Sequence, residues 1–271
     1  MIPAPFEYER PTTVADAIRV LAENADEAKV IAGGHSLLPM MKLRFAQPAV
    51  LVDIGNIDEL KGIETSGDRI VIGATTTHAT VAGSALLAER VPLLAYAASQ
   101  VGDPQVRHRG TIGGSLAHSD PAADLPVAVV AADATMVIAG PDGRREVHAD
   151  DFFRGPFETA VEPDELLVAV SVPAVTGIGW GYEKFTQRAN DWGMVGVAVS
   201  GERVVLGGVA GVPWRALAVE DAVRSGTPVD RAAALAADGV SPAGDIRADG
   251  RYRQHLAVVL TERALRAAGY R

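Results

Sequence analysis

Apolar positions near the N-terminus switch between helical and strand spacing. Val14, Ala17, Ile18 and Leu21 recur at three- and four-residue intervals, which predicts a helix over Thr13 to Leu21. Thr13 stands where a capping hydroxyl belongs, with Asp16 three residues on. Ala28 to Ala32 is a short apolar run that ends at Gly33-Gly34, and Val50 to Ile54 is another; both read as strands. Together they predict one α/β unit over residues 1–56.

A different texture follows. Gly62 to Glu64 and Arg69 to Ile72 flank Ser66-Gly67-Asp68, and Thr135 to Ile138 and Arg144 to Val147 flank Pro141-Asp142-Gly143. Each pair predicts a hairpin. Helices are expected over Val81 to Leu87, Leu93 to Val101 and Leu125 to Ala132, and a strand over Leu166 to Val172. The turn-rich stretch Pro173 to Gly179 marks a boundary, giving a second unit over 57–175 and a third over 176–271. In the third, three strands are expected (Trp180 to Phe185, Met194 to Ser200, Val204 to Val209), the last two joined tightly by Gly201-Glu202-Arg203. Helices over Ala216 to Arg224, Arg231 to Ala237 and Tyr252 to Ala268 complete it. Strands first and helices after make an α+β pattern, not a strict βαβ alternation.

Composition narrows the chemistry. A net charge of −9 disfavours nucleic acid and anionic membranes, which want a basic field. No apolar run reaches the roughly 18 residues of a membrane span, and Pro3, Pro5, Glu7 and Glu9 stand where a signal peptide needs basic and then apolar residues. A cytoplasmic location is the expectation. The chain has no cysteine, which excludes disulfides, a thiolate nucleophile and self-ligated iron–sulfur clusters. Electron transfer by such a chain needs a bound organic cofactor.

Two glycine-rich segments stand out. Ala32-Gly33-Gly34-His35-Ser36 runs into Leu37-Leu38-Pro39-Met40-Met41-Lys42-Leu43-Arg44, and Gly110-Thr111-Ile112-Gly113-Gly114-Ser115 runs into Leu116-Ala117-His118-Ser119-Asp120-Pro121-Ala122-Ala123-Asp124. A Gly pair permits a tight turn and close approach of a ligand, and successive amides aimed one way suit a diphosphate. Neither segment is a P-loop. The first lacks G-x-G-x-x-G, and Pro39 is expected to interrupt any helix there, so a Rossmann site is excluded even though the segment follows a strand and Asp53 lies nineteen residues after Gly34.

A-G-G-H-S-L-L-P-M-M-K-L-R and T-I-G-G-S-L-A-H-S-D-P-A-A-D together resemble the paired FAD signatures of the flavin (medium) subunits of molybdenum hydroxylases, the carbon monoxide and xanthine dehydrogenase family. Further landmarks match in order, among them Gly73-Ala74-Thr75, Thr77-His78, Pro213-Trp214-Arg215-Ala216 and Tyr252-Arg253-Gln254-His255. The resemblance implies a two-lobed FAD-binding domain followed by a C-terminal lobe of three antiparallel strands and helices. It further implies that Ile31, Ala32, Gly33, Gly34, His35, Ser36 and Leu37, with Thr111, Ile112, Gly113, Gly114 and Ser115, cradle the FAD diphosphate and its flanks. Val101, Leu166 and Leu167 would wall the pocket, Asp124 would accept from a sugar or ribityl hydroxyl, Lys184 would approach the flavin, and Trp192 would shield or gate it.

No catalytic side chain and no metal ligand are expected on this chain. His35 and His118 lack a neighbouring carboxylate or metal-like spacing and are read as structural. Lys184 on a strand is also compatible with a solvated charge, Asp124 with a helix cap, and Arg107-His108-Arg109 with a surface turn. Ser119 stands where the family's H-A-D-P run has alanine. The implied partners are a large subunit with a molybdenum cofactor and a small subunit with 2Fe–2S clusters, assembled as a dimer of heterotrimers. The competing reading is a free-standing FAD-dependent oxidase or reductase of the same fold, which would need acid or base groups beside the flavin.

Overall fold

The computed structural model describes residues 2–271. In the first lobe, β1 (Glu7–Glu9), α1 (Val14–Asn24), β2 (Ala28–Ile31), α2 (Leu37–Lys42) and β3 (Val50–Asp53) form a three-stranded parallel sheet of order β1-β3-β2 with its helices. Strand β1 was not legible in the sequence, because Glu7-Tyr8-Glu9 is exposed and gains its order from pairing with β3. Helix α2 corrects the expectation for Pro39. Proline falls in its first turn, where no intrahelical acceptor is missed, so the helix forms around it.

The second lobe is built on β4 (Ile63–Ser66), β5 (Arg69–Gly73), β6 (Thr135–Gly140), β7 (Gly143–His148) and, after the small hairpin of β8 (Phe153–Gly155) and β9 (Glu158–Thr159), β10 (Leu166–Pro173). Its five strands run β4-β5-β10-β6-β7, all antiparallel. Between β5 and β6 lie α3 (His78–Ala82), α4 (Ala85–Arg90), α5 (Pro92–Ser99), α6 (Pro104–Arg109), α7 (Ile112–His118) and α8 (Asp124–Ala131), and α9 (Ala149–Phe152) follows β7. The single helix expected over Val81 to Leu87 is two. Gly83 ends α3, and the Ser84 hydroxyl accepts the Leu87 amide to start α4.

In the third lobe β11 (Trp180–Phe185), β12 (Val195–Ser200), β13 (Arg203–Gly207) and β14 (Trp214–Arg215) make an antiparallel sheet, backed by α10 (Leu217–Arg224), α11 (Val229–Ala233) and α12 (Gly250–Ala267). The expected three strands are present, and the two-residue β14 adds a fourth. Among the described residues no helix is long and apolar enough to cross a membrane, and no three His, Asp or Glu side chains are grouped to hold a metal ion.

Three apolar clusters hold the fold. One joins α1 and the parallel sheet to Ala139, Leu166 and Val168 of the second lobe. The largest fills the second lobe and continues into Tyr182, Ala198 and Val205 of the third. A third cluster packs α10 to α12 against the remaining face of the β11–β14 sheet.

Candidate functional site

Strand β2 carries Ile31 and Ala32 to the C-terminal edge of the parallel sheet, where Gly33, Gly34, His35 and Ser36 turn the chain into α2. Gly34 has φ +77°, a conformation that disfavours any side chain. Beside the turn, the Tyr8 hydroxyl donates to Asp53, so this carboxylate is engaged within its own sheet. The amides of Gly33, Gly34, His35, Ser36 and Leu37 meet no carbonyl acceptor among the described residues, and the first paired amide is that of Leu38, donated to Gly34 O at 3.0 Å. The Ser36 side chain makes no capping bond. Five successive unpaired donors on a bend make a concavity suited to an anion.

The second glycine pair behaves differently. Gly113 and Gly114 are not a bend but the first turn of α7, capped by Thr111, whose Oγ1 accepts the Gly114 amide at 3.2 Å. The Ile112 amide goes to Thr76 O at 2.9 Å and that of Gly113 to Ala74 O at 2.8 Å. These amides are already engaged, so this segment supplies a wall more than a nest. Glycine is needed at 113 for close packing, because a Cβ there would lie 2.7 Å from Ala74 O.

The two segments touch. A Cβ on Gly33 would run into the Arg109 carbonyl oxygen and come within 2.8 Å of Gly110 Cα. From Gly110 the contact continues through α6, where the Arg107 guanidinium donates to Val101 O and Gly102 O at 3.0 Å each. Val101 is half-buried at the end of α5, and the neighbouring Gln100 O accepts from Lys184 Nζ at 3.2 Å. Lys184 also lies 3.0 Å from Asp124, the first residue of α8. Lys184 Nζ stands at that distance from both carboxylate oxygens, and the Tyr182 hydroxyl donates to Oδ1 at 2.6 Å. The Asp124 and Lys184 side chains are only 8 and 10% exposed.

Burial pushes the Asp124 carboxyl above its ordinary range, and Lys184 and the Tyr182 hydroxyl oppose it. Burial, and the charge of Asp124 beside it, hold the Tyr182 phenol well above 10, so it remains a donor. A narrow cleft lined by Ala122, Ala123, Asp124, Lys184 and Gly193 opens here. Another surface groove lies elsewhere, between Arg90, Val91, Trp180 and Arg203, and holds none of the predicted residues.

Other predicted residues take different places. Leu166 and Leu167 are both buried on β10, in two separate apolar clusters; Leu167 packs in the core that includes Ile112 and Leu116. Trp192 is exposed at 47%, next to Gly193, where a Cβ would lie 3.4 Å from Lys184 Cγ. Ser115 is half-buried on α7, and His35 is exposed on the first loop. His118 stacks on Phe157 with ring centres 5.1 Å apart, and partial burial lowers its pKa. Ser119 is buried with φ +50°, and its hydroxyl donates to Gly155 O at 3.2 Å.

Sequence reading missed Tyr182, Gln100 and the ring of His78. Tyr182 precedes Lys184 by two residues on a strand, a spacing that puts both on one face; that was the available signal. His78 lies buried against Gly110, its Nδ1 without a hydrogen-bond partner; in the sequence it stood out only within the Thr77-His78 landmark, with no role attached.

Comparison with known proteins places this geometry. Residues 4–175 match the FAD binding domain in molybdopterin dehydrogenase, and residues 180–268 match the CO dehydrogenase flavoprotein C-terminal domain. The carbon monoxide dehydrogenase medium chain of Hydrogenophaga pseudoflava is 43% identical, covering 99% of this chain and 98% of its own. The nicotine 6-hydroxylase medium subunit of Paenarthrobacter nicotinovorans is 36% identical over 98% of both chains. The solved quinoline 2-oxidoreductase of Pseudomonas putida 86 has a chain that superposes with a TM-score of 0.93 at 35% identity, covering 99% of each.

Proposed function

The chain belongs to the family of FAD-binding medium subunits of molybdenum hydroxylases, and from that membership we propose that it binds FAD across the Gly33 to Leu37 loop and serves electron transfer between partner subunits and an external acceptor. The observation that carries the proposal is the row of five unpaired amides closed on one side by Gly110. These residues fit the diphosphate of a flavin dinucleotide: the donors are successive, the bend is partly exposed, and a Cβ at either Gly33 or Gly34 would be resisted. When bound, FAD supplies the capacity to take up two electrons one at a time and pass them to an acceptor.

The chain's own residues bind, orient and tune. Gly33 to Leu37 amides hold the diphosphate, and Thr111 to Ser115 form the opposing wall. Val101 flanks the pocket from the end of α5. Asp124 and Lys184, neutralising each other beside the cleft, give it one fixed cation and one acceptor. A cation held there would favour negative charge on a bound flavin ring, and Asp124 would accept from a sugar or ribityl hydroxyl. Trp192, exposed on the neighbouring loop, shields the ring. Leu166 and Leu167 support the wall from within the core.

In the proposed assembly a large subunit with a molybdenum cofactor oxidises the substrate and a small subunit with iron–sulfur clusters relays the electrons. Two such heterotrimers pair, and the acceptor is a quinone, a cytochrome, NAD or oxygen. Two measurements test this. The purified chain titrated with FAD is expected to turn yellow with saturable stoichiometry; a colourless chain in excess FAD overturns the flavin site. Affinity isolation from the native host is expected to bring down a molybdenum-containing and a cysteine-rich subunit. Isolation of a lone, catalytically competent flavoprotein overturns the partnership.

A further inference from the structure

Strand β11 aligns Trp180, Tyr182 and Lys184 at alternate positions, so their side chains share one face. Trp180 and Tyr182 pack on Tyr96 of α5, with ring centres 5.5 and 6.1 Å away. Lys184 reaches Gln100 O and Asp124, and the Tyr182 hydroxyl donates to the same carboxylate. Two donors from one strand thus grip one carboxylate at the head of α8.

We propose that Tyr182 is the positioning residue of the flavin site: its hydroxyl, donated to Asp124 Oδ1, keeps this carboxylate ionised and thereby keeps Lys184 anchored at the cleft. The inference rests on the flavin reading above and deepens it. Burial works against the Asp124 charge, and the groups that oppose it are Lys184 first, then the Tyr182 hydroxyl and the Asp124 backbone amide, with Tyr96 acting in turn on Tyr182. Without the hydroxyl, Oδ1 loses its neutral hydrogen-bond donor, a phenol whose pKa is raised by burial and the Asp124 charge. Asp124 then takes a proton more readily, and a neutral Asp124 leaves Lys184 as a buried cation without a counter-charge. The pair therefore holds or fails as a unit, with Tyr182 supporting Lys184 in holding the carboxylate.

The test follows Asp124 directly. Full-length chain labelled with 13C at aspartate carboxyls is titrated by NMR, with the Asp124 signal assigned through Asp124→Asn. In Tyr182→Phe the Asp124 midpoint is expected to rise by about one pH unit, tenfold in proton affinity. In the FAD-loaded protein, the pH at which the flavin midpoint potential changes slope is expected to move with it. Site-specific 3-fluorotyrosine at 182, a more acidic donor of the same shape, is expected to lower the Asp124 midpoint, and this arm stands if the phenylalanine variant does not fold. An unmoved Asp124 titration in either variant overturns the proposal, as does an equal shift in Tyr96→Phe, which keeps the hydroxyl in place. Failure of the wild-type chain to bind FAD would instead strike the flavin reading, since the Asp124 titration is read without the cofactor.

Discussion

Gly110 is pressed from two sides, by Gly33 of the first loop and by the ring of His78. The contact with Gly33 makes that position intolerant of even one methyl. Gly33→Ala is expected to force the loops apart, costing about 1–3 kcal/mol of stability and weakening FAD binding at least tenfold, read by fluorescence titration. Gly67→Ala, strained only by its φ of +62° in an open hairpin turn, is expected to leave FAD affinity unchanged. On the other side, burial first, and then the charges of His35 and Arg107, lower the His78 pKa from 6.5 to about 4. The unfolded chain therefore binds more protons than the folded one between pH 6.5 and 4, and stability falls as pH falls through that window. Wild type is expected to lose roughly 3 kcal/mol more than His78→Leu between pH 7 and pH 4, by denaturant titration at each pH. An equal loss in both would place the pH sensitivity elsewhere.

Among the elements, α8 does the most to join the parts. All eight of its residues are buried, including Asp124, because it lies between α5 on one side and the β12–β13 pair on the other. A helix apolar around its whole circumference is a core helix, and this one reads directly from Leu125 to Ala132. Its contact with β13 is close: a Cβ on Gly207 would stand 2.6 Å from Val127 Cγ2. Gly207→Ala is expected to lower stability by about 1–3 kcal/mol, and Val127→Ala in the same chain is expected to recover part of the loss. Thermal denaturation of the two single variants and the double variant gives the coupling. Since Asp124 opens this helix, slippage of α8 is also expected to disturb the pair with Lys184.

Across the whole molecule, the largest core does not stop at the expected boundary near Pro173. Tyr182, Ala198 and Val205 belong to it, and Arg203 ties β13 to Val130 O at 3.1 Å, Asp133 at 2.5 Å and Asp150 at 2.6 Å. Arg215 adds a bond to Asp150 at 3.0 Å. A fragment of residues 1–175 is therefore expected to expose one side of α8 and to bind a hydrophobic dye or aggregate. The intact chain is expected to unfold with residues 57–175 and 176–271 in a single transition. Two well-separated transitions by calorimetry would show the lobes to be energetically independent.

Much of this architecture was legible residue by residue. Apolar spacing located α1, α8, both long hairpins and the C-terminal sheet, because periodicity reports burial and these elements are buried by their own pattern. The glycine segments marked a candidate cofactor site because glycine at such density is a statement about backbone space. What the chain order could not say was how each element would be completed by its neighbours. Strand β1 exists through β3, α7 starts on a glycine pair that reads as a turn, and Pro39 sits harmlessly inside α2. Only the tertiary structure decided that the first loop keeps its amides unpaired while the second commits its own to Thr76 and Ala74. It also decided that Tyr182, Asp124, Lys184 and Gln100, distant in sequence, converge on one buried charge pair. Local pattern fixes which face of an element is apolar; hydrogen-bond partners and electrostatic environments are set by groups far along the chain, and these exist only once it has folded.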